Sequence, residues 1–139
     1  MDFDRANSGR KTYRLNKDYN QYARMTTFNG HAVLIGIIWE LNHSVGITKP
    51  KKYVEVFDED ESKWLLKNPS DESVNGDVNW SAQYALVPLK NKLLHLGGND
   101  IGEGNHLFHN YVGYYLDTEF SQWIKLEQIH YYNDIPGTG

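Results

Sequence analysis

Short apolar runs separated by polar turns set the rhythm of the chain. Met25 to Phe28 and Ala32 to Ile35 flank the polar turn Asn29-Gly30-His31, an arrangement that predicts a β-hairpin. Tyr53-Val54-Glu55-Val56-Phe57 is β-branched and aromatic and predicts a third strand. Asp58 at its end can accept hydrogen bonds from the backbone two residues on and start a turn. Ser62 helps to close that turn, and Trp64-Leu65-Leu66 opens a fourth strand. The same order then returns as Gln83 to Pro88, Leu93 to Leu96, Tyr111 to Leu116 and Trp123 to Leu126. The predicted class is all-β, built from four-stranded antiparallel sheets.

The two series are related by internal repetition, which marks repeat architectures. Phe57-Asp58-Glu59-Asp60-Glu61-Ser62-Lys63-Trp64 aligns with Leu116-Asp117-Thr118-Glu119-Phe120-Ser121-Gln122-Trp123 at an offset of 59, with Asp, Ser and Trp in common. A weaker copy runs from Leu15 to Tyr22, with Asn16, Asn20 and Tyr22 in the places of Asp, Ser and Trp. Ahead of each Trp unit, Phe28 to Gly36 aligns with Leu89 to Gly97 at an offset of 61. Each of these is a strand, a polar turn and a second strand ending in Gly. The second copy ends in the pair Gly97-Gly98, the first in Gly36-Ile37.

This pattern resembles the kelch repeat, whose motif is a strand, a turn, a strand ending in Gly-Gly, a Tyr or hydrophobic residue before Asp, and a Trp about six residues on. Leu93 to Trp123 matches through Gly97, Gly98, Tyr114, Tyr115, Asp117 and Trp123. Ala32 to Trp64 matches through Gly36, Val56, Phe57, Asp58 and Trp64 and departs at Ile37. The resemblance covers residues 12–126 and implies β-propeller blades, each a four-stranded antiparallel sheet. It divides the chain into a tail and partial blade (1–23), a blade (24–70), a linker (71–79), a second blade (80–128) and a final strand and tail (129–139). In the partial blade, Thr12–Leu15 and Tyr22–Met25 are the candidate strands. Propellers have 4–8 blades, so about two and a half make an incomplete ring. Such a chain is a fragment of a longer protein, a unit completed by further copies, or an open stack. Gly36, Asp58, Trp64, Gly97, Gly98, Asp117 and Trp123 are read as structural repeat residues.

Composition narrows the function classes. The 139 residues are 40% hydrophobic, enough for a core, and no apolar run approaches the length of a membrane span. The first residues, Met-Asp-Phe-Asp-Arg-Ala-Asn, show no apolar signal region. Cys is absent, which excludes disulfides, a thiol nucleophile and Cys-ligated metals. A cytoplasmic protein is the expectation. A net charge of −4 argues against nucleic acid as the main partner, and no membrane partner is expected.

Candidate chemistry is sparse. His106 and His109 with Glu103 offer a loose metal set, but the segment is Gly-rich and no further ligand is evident, so neither metal nor cofactor is expected. Asp58 to Glu61 reads as a solvated acidic turn without the glycine of a calcium loop. Ser62 and Ser121 lack a nucleophile context. Asn42-His43-Ser44 and Asn79-Trp80-Ser81 fit the glycosylation sequon by chance. Lys49-Pro50-Lys51-Lys52 reads as a guard against edge pairing. No catalysis is implied.

Kelch propellers resemble one another in binding protein partners through loops between the second and third strands and between successive blades. The corresponding segments are Ala23-Arg24-Met25, the long loop Trp39 to Lys52, Asn79-Trp80-Ser81 and the loop Asn99 to Asn110. Arg24, Trp39, His43, Trp80, Asp100 and His106 are the candidate partner-binding residues, since Trp and Arg are enriched at binding hot spots. The leading expectation is a protein-interaction module. The alternatives are a metal-dependent enzyme of the kelch type and a small sugar-binding β domain. The copper-oxidase variant of the enzyme is excluded because it needs a Cys joined to a Tyr.

Overall fold

The computed structural model describes residues 11–19, 21–44, 46–100 and 113–126. The strands are β1 (Gln21–Phe28), β2 (His31–Asn42), β3 (Ile47–Asp58), β4 (Lys63–Lys67), β5 (Ser81–Ala82), β6 (Ala85–Pro88), β7 (Leu93–Leu96), β8 (Asn99–Asp100), β9 (Gly113–Leu116) and β10 (Trp123–Lys125). Two 3-10 turns, Glu72–Val74 and Asp77–Trp80, precede β5. The strands form two four-stranded antiparallel sheets, β1-β2-β3-β4 and β6-β7-β9-β10, with β5 and β8 paired separately.

The two sheets repeat one another rung for rung. Thr26, Val33, Val56 and Leu65 stand side by side across the first sheet. Val87, Leu94, Tyr115 and Ile124 stand side by side across the second. These eight residues are related by the sequence offsets 61, 61, 59 and 59. The turns repeat as well. Asp58 Oδ1 accepts the backbone N–H groups of Asp60 (2.9 Å) and Glu61 (3.3 Å). Asp117 Oδ1 accepts those of Glu119 (3.1 Å) and Ser121 (3.2 Å). In each unit the Trp pairs with the residue just before the Asp, Phe57 with Trp64 and Leu116 with Trp123. Ser121 bonds its Asp directly, whereas Ser62 donates to the Glu59 carbonyl instead.

The start of each unit is a distorted strand. Tyr22 and Gln83, again related by 61, both have φ near +57, at 57° and 56°. In β1 this makes a bulge in which Tyr22 and Ala23 oppose Gly36 between the pairs Gln21–Ile37 and Arg24–Ile35. A bulge interrupts the ladder, and the carbonyls of Tyr22 and Ile35 turn to the next unit. The Tyr84 hydroxyl lies 2.9 Å from Tyr22 O and 3.0 Å from Ile35 O, where it donates.

Stacking is head to tail. Because side chains alternate along a strand, Val33, Ile35, Ile37, Val54 and Val56 share one face of the first sheet. This face joins Leu93, Tyr114, Leu116 and Trp123 of the second in one buried core, with Tyr84, Val74, Val78, Phe28 and Phe120 at its ends. By the repeat register, the second sheet contributes the face opposite to that used by the first. The first strands of the two sheets, β1 and β6, also pack together. The connection from β4 runs past the last strand of the second sheet, where Ser70 N donates to Ser121 O (2.9 Å) and Trp123 N to Ser70 O (2.8 Å).

Three expectations change. The stretch Trp39 to Lys52 is not a long loop: β2 and β3 run 12 residues each and stay paired from Val33–Val56 out to Asn42–Ile47. Cross-strand pairing thus outweighs the local turn signal of Pro50. Thr12–Leu15 forms no strand, and Tyr22–Met25 belongs to β1 of the first sheet. Two sheets are present, but among the described residues they do not close a ring. Tyr111 and residues 129–139 lie outside the described residues.

Trp123 is 2% exposed, whereas its counterpart Trp64 is only half-buried. Trp123→Ala is expected to cost about 3–5 kcal/mol of unfolding free energy and Trp64→Ala distinctly less. Urea denaturation of the two variants reads the difference, and equal losses would contradict the stacking.

Candidate functional site

Strand connections place several irregular segments at one end of the sheets. The β2–β3 turn, the connection from β4 to β6 and the segment after β7 all lie there, opposite the end that carries the Asp58 and Asp117 turns. Beyond Ile37 and Val54, β2 and β3 have no neighbouring strand on either side among the described residues and continue as a two-stranded arm. By alternation Trp39 and Leu41 follow Ile37 on the face turned to the second sheet. Trp39 is 45% exposed and Leu41 51%, while Ile47, paired with Asn42 on the opposite face of the arm, is 48% exposed. Such a group of large apolar side chains on a protruding hairpin marks an interaction surface.

The base of the arm is fixed to the connection by Lys52. Its backbone N–H donates to Asn79 Oδ1 (2.9 Å), and its ammonium donates to the carbonyls of Val78 (2.6 Å) and Ser81. The ammonium also lies 4.6 Å from the centre of the Tyr84 ring, a cation–π contact. Burial pushes the Lys52 pKa down to about 7. Asn79 Nδ2 donates in turn to Asp71 Oδ2 (2.9 Å). Lys51, Lys52, Ser70, Asp71, Asn79 and Trp123 line a cleft of about 280 Å³ at this junction.

Behind Lys52 lies a buried aromatic group. His95 stacks on Tyr84 with ring centres 4.1 Å apart and meets Tyr114 and Trp123 edge-on at 5.9 and 5.7 Å. Among the described residues neither of its ring nitrogens has a hydrogen-bond partner. Burial first, and nearby Lys52 second, hold its pKa well below the ordinary histidine value. His95 is thus neutral, and it fills space between the sheets. No motif in the sequence singled out either residue for this place: His95 stands in a run that reads as an apolar strand, and Lys52 ends the basic patch read as an edge guard.

The other candidate residues are dispersed along this end. Arg24 lies in β1 instead of a loop, and its Nε donates to the Tyr84 carbonyl across the junction (3.4 Å). His43 is exposed in the tight turn at the tip of the arm. Trp80 ends the second 3-10 turn and is half-buried. Asp100 belongs to β8 and pairs with Ser81. Glu103, His106 and His109 lie outside the described residues. Among the described residues no three His, Asp or Glu side chains converge as metal ligands. Gly36 and Gly98 are places of close approach: a side chain on Gly36 would meet the Tyr19 ring, and one on Gly98 the Ala82 carbonyl. Tyr84, Tyr114 and Trp123 are each 2% exposed, so they belong to the core and not to a sugar-stacking platform. Among the described residues no helix is long and apolar enough to cross a membrane.

No protein-family model matches the chain, and no curated protein matches it.

Unfolded, His95 titrates near 6.5, and folded it titrates lower. Between those values the unfolded chain binds a proton that the folded protein refuses, so acid favours unfolding. Stability is expected to fall as pH drops below 6.5, and His95→Phe to lack this component. Urea unfolding at pH 7.5 and pH 5 compares the two proteins; a slope unchanged by His95→Phe would contradict the assignment.

Proposed function

We propose that the chain is a kelch-type repeat protein whose sheets are propeller blades and whose role is to bind a protein partner through the β2–β3 arm and the connections beside it. The observation that carries this reading is the rung-for-rung repetition of the two sheets together with their head-to-tail stacking. A contact between opposite faces of equivalent units propagates instead of closing in a pair, which is the relation between neighbouring blades. The positions of Asp58, Trp64, Asp117 and Trp123 at equivalent hairpins support the same reading. Further units, including those of a second copy of this chain, would extend the stack from the other face of the second sheet.

The arm carries the binding role. Trp39 and Leu41 supply apolar area on one face of the hairpin, and Ile47 lies with Glu40, Lys49 and Lys51 on its other face. The Lys52–Asn79 contacts hold the base of the arm rigid, which lowers the ordering cost of association.

Affinity capture with quantitative mass spectrometry tests this. Trp39→Ala with Leu41→Ala is expected to reduce recovery of specific partners at least about tenfold, the loss that accompanies roughly 1.4 kcal/mol. Asp60→Ala with Glu119→Ala, at the opposite end, is expected to leave recovery unchanged. Partners retained by the arm variant would remove the proposed surface.

A further inference from the structure

The face of the first sheet turned away from the second is covered differently. Tyr53, Glu55, Leu34 and Gly36 lie on it, and residues 11–19 cross over them without joining the sheet. Glu55 is fully buried. Its Oε1 accepts Asn16 N and Asn16 Nδ2, each at 2.7 Å, and its Oε2 accepts Lys17 N (3.3 Å) and the Tyr19 hydroxyl (2.6 Å). The second Asn16 amide hydrogen goes to the Trp64 carbonyl (2.8 Å). Burial and the hydrogen bond to Glu55 raise the Tyr19 pKa, so the hydroxyl stays a donor. The Tyr19 ring lies on Gly36, where a side chain would collide with it. Lys17 lies 4.9 Å from the Tyr53 ring centre, and Tyr13 meets Phe57 at 4.9 Å.

This arrangement has the parts of a peptide-binding site. A buried carboxyl group is costly unless its lone pairs are filled, and among the described residues the donors that fill Glu55 all come from 16–19. The recognised features are an Asn side chain and, three residues on, a Tyr. The segment is held by these side-chain and backbone contacts instead of a strand ladder. It makes no strand pairing with the sheet, and Tyr13, Asn16 and Asp18 are exposed, so a segment that offers Glu55 the same donors can take its place without breaking a strand ladder. The groove is also longer than its occupant needs. Met25, Leu34, Glu55 and Leu66 form one rung, and at its two ends Met25 is 60% exposed and Leu66 40%. At the equivalent place in the second sheet stand His95 and Tyr114, against which the first sheet packs, so this is the face that receives a neighbour in the repeat.

We propose that the Glu55 face of the first sheet is a peptide-recognition site that residues 11–19 occupy as an internal ligand. Its partner is an extended protein segment with the pattern Asn-x-x-Tyr, which displaces the internal one and adds apolar contacts to Met25 and Leu66. The site is separate from the β2–β3 arm, and it stands whether or not the sheets are kelch blades.

The test uses full-length protein and a fluorescent synthetic peptide of residues 11–19. Wild-type protein, with its own segment in place, is expected to bind the peptide weakly. The variant Asn16→Ala with Tyr19→Phe weakens the internal ligand and is expected to bind at least tenfold more tightly. Adding Glu55→Gln to that variant is expected to abolish the gain. Equal binding by wild type and the double variant, or a gain that survives Glu55→Gln, would overturn the proposal. If the double variant does not fold, Asn16→Ala alone, which keeps Tyr19 on Gly36, is expected to show a smaller gain, and no gain there overturns the proposal equally.

Discussion

The contact between the two sheets is the constraint on which the molecule depends. Neither sheet has enough apolar area to be stable by itself: each is a single four-stranded layer and must cover one face. The first sheet offers an aliphatic surface of Val33, Ile35, Ile37, Val54 and Val56, and the second offers a largely aromatic one of Tyr84, Tyr114 and Trp123 with Leu93 and Leu116. Flat, β-branched side chains against large rings make a close fit. Three polar links fix its position. The Tyr84 hydroxyl takes the carbonyls released by the β1 bulge, Arg24 takes the Tyr84 carbonyl, and Lys52 takes those of Val78 and Ser81. A buried unmade hydrogen bond costs about 1–3 kcal/mol, so the sheets cannot slide without losing several at once.

The distribution of polar residues inside the fold follows from that contact. Lys52 and His95 are buried because they stand at the junction. One is compensated by carbonyls and a ring face, and the other is kept neutral by its surroundings. Glu55 is buried on the far side of the same sheet by a segment that serves as its partner. The two faces of β3 thus carry different chemistry at adjacent positions, with Val54 and Val56 turned to the second sheet and Glu55 turned away from it. A one-residue slip of β3 would turn Glu55 toward the aliphatic junction, so this pattern also fixes the strand register.

Much of the fold is legible in the residues. The Asp-Ser-Trp spacing marks the same hairpin twice, and Asn29-Gly30, with φ of 54° and 78°, is the turn that its composition predicts. The recurrence at 59 and 61 predicts equivalent sheets, and the cross-strand pairs agree at every rung compared. The arm was not legible: Pro50 and the lysines are loop residues by local preference, and only pairing with β2 makes them a strand. The Glu55 cradle was not legible either. Its donors lie 36 to 39 residues away, and half of them are backbone groups, which carry no side-chain signature. Of the candidate binding residues, Trp39 was found by its type, whereas Leu41 becomes visible only once the arm places it on the same face.

The central claim is that two equivalent sheets form one cooperative unit through a specific junction, and native-state hydrogen exchange tests it most directly. The amides of β2 and β3 are expected to open with the same free energy as those of β7 and β9, and Tyr84→Phe is expected to lower both sets equally, by about 1–3 kcal/mol. Separate opening energies for the two sheets, with Tyr84→Phe affecting only the second, would contradict it.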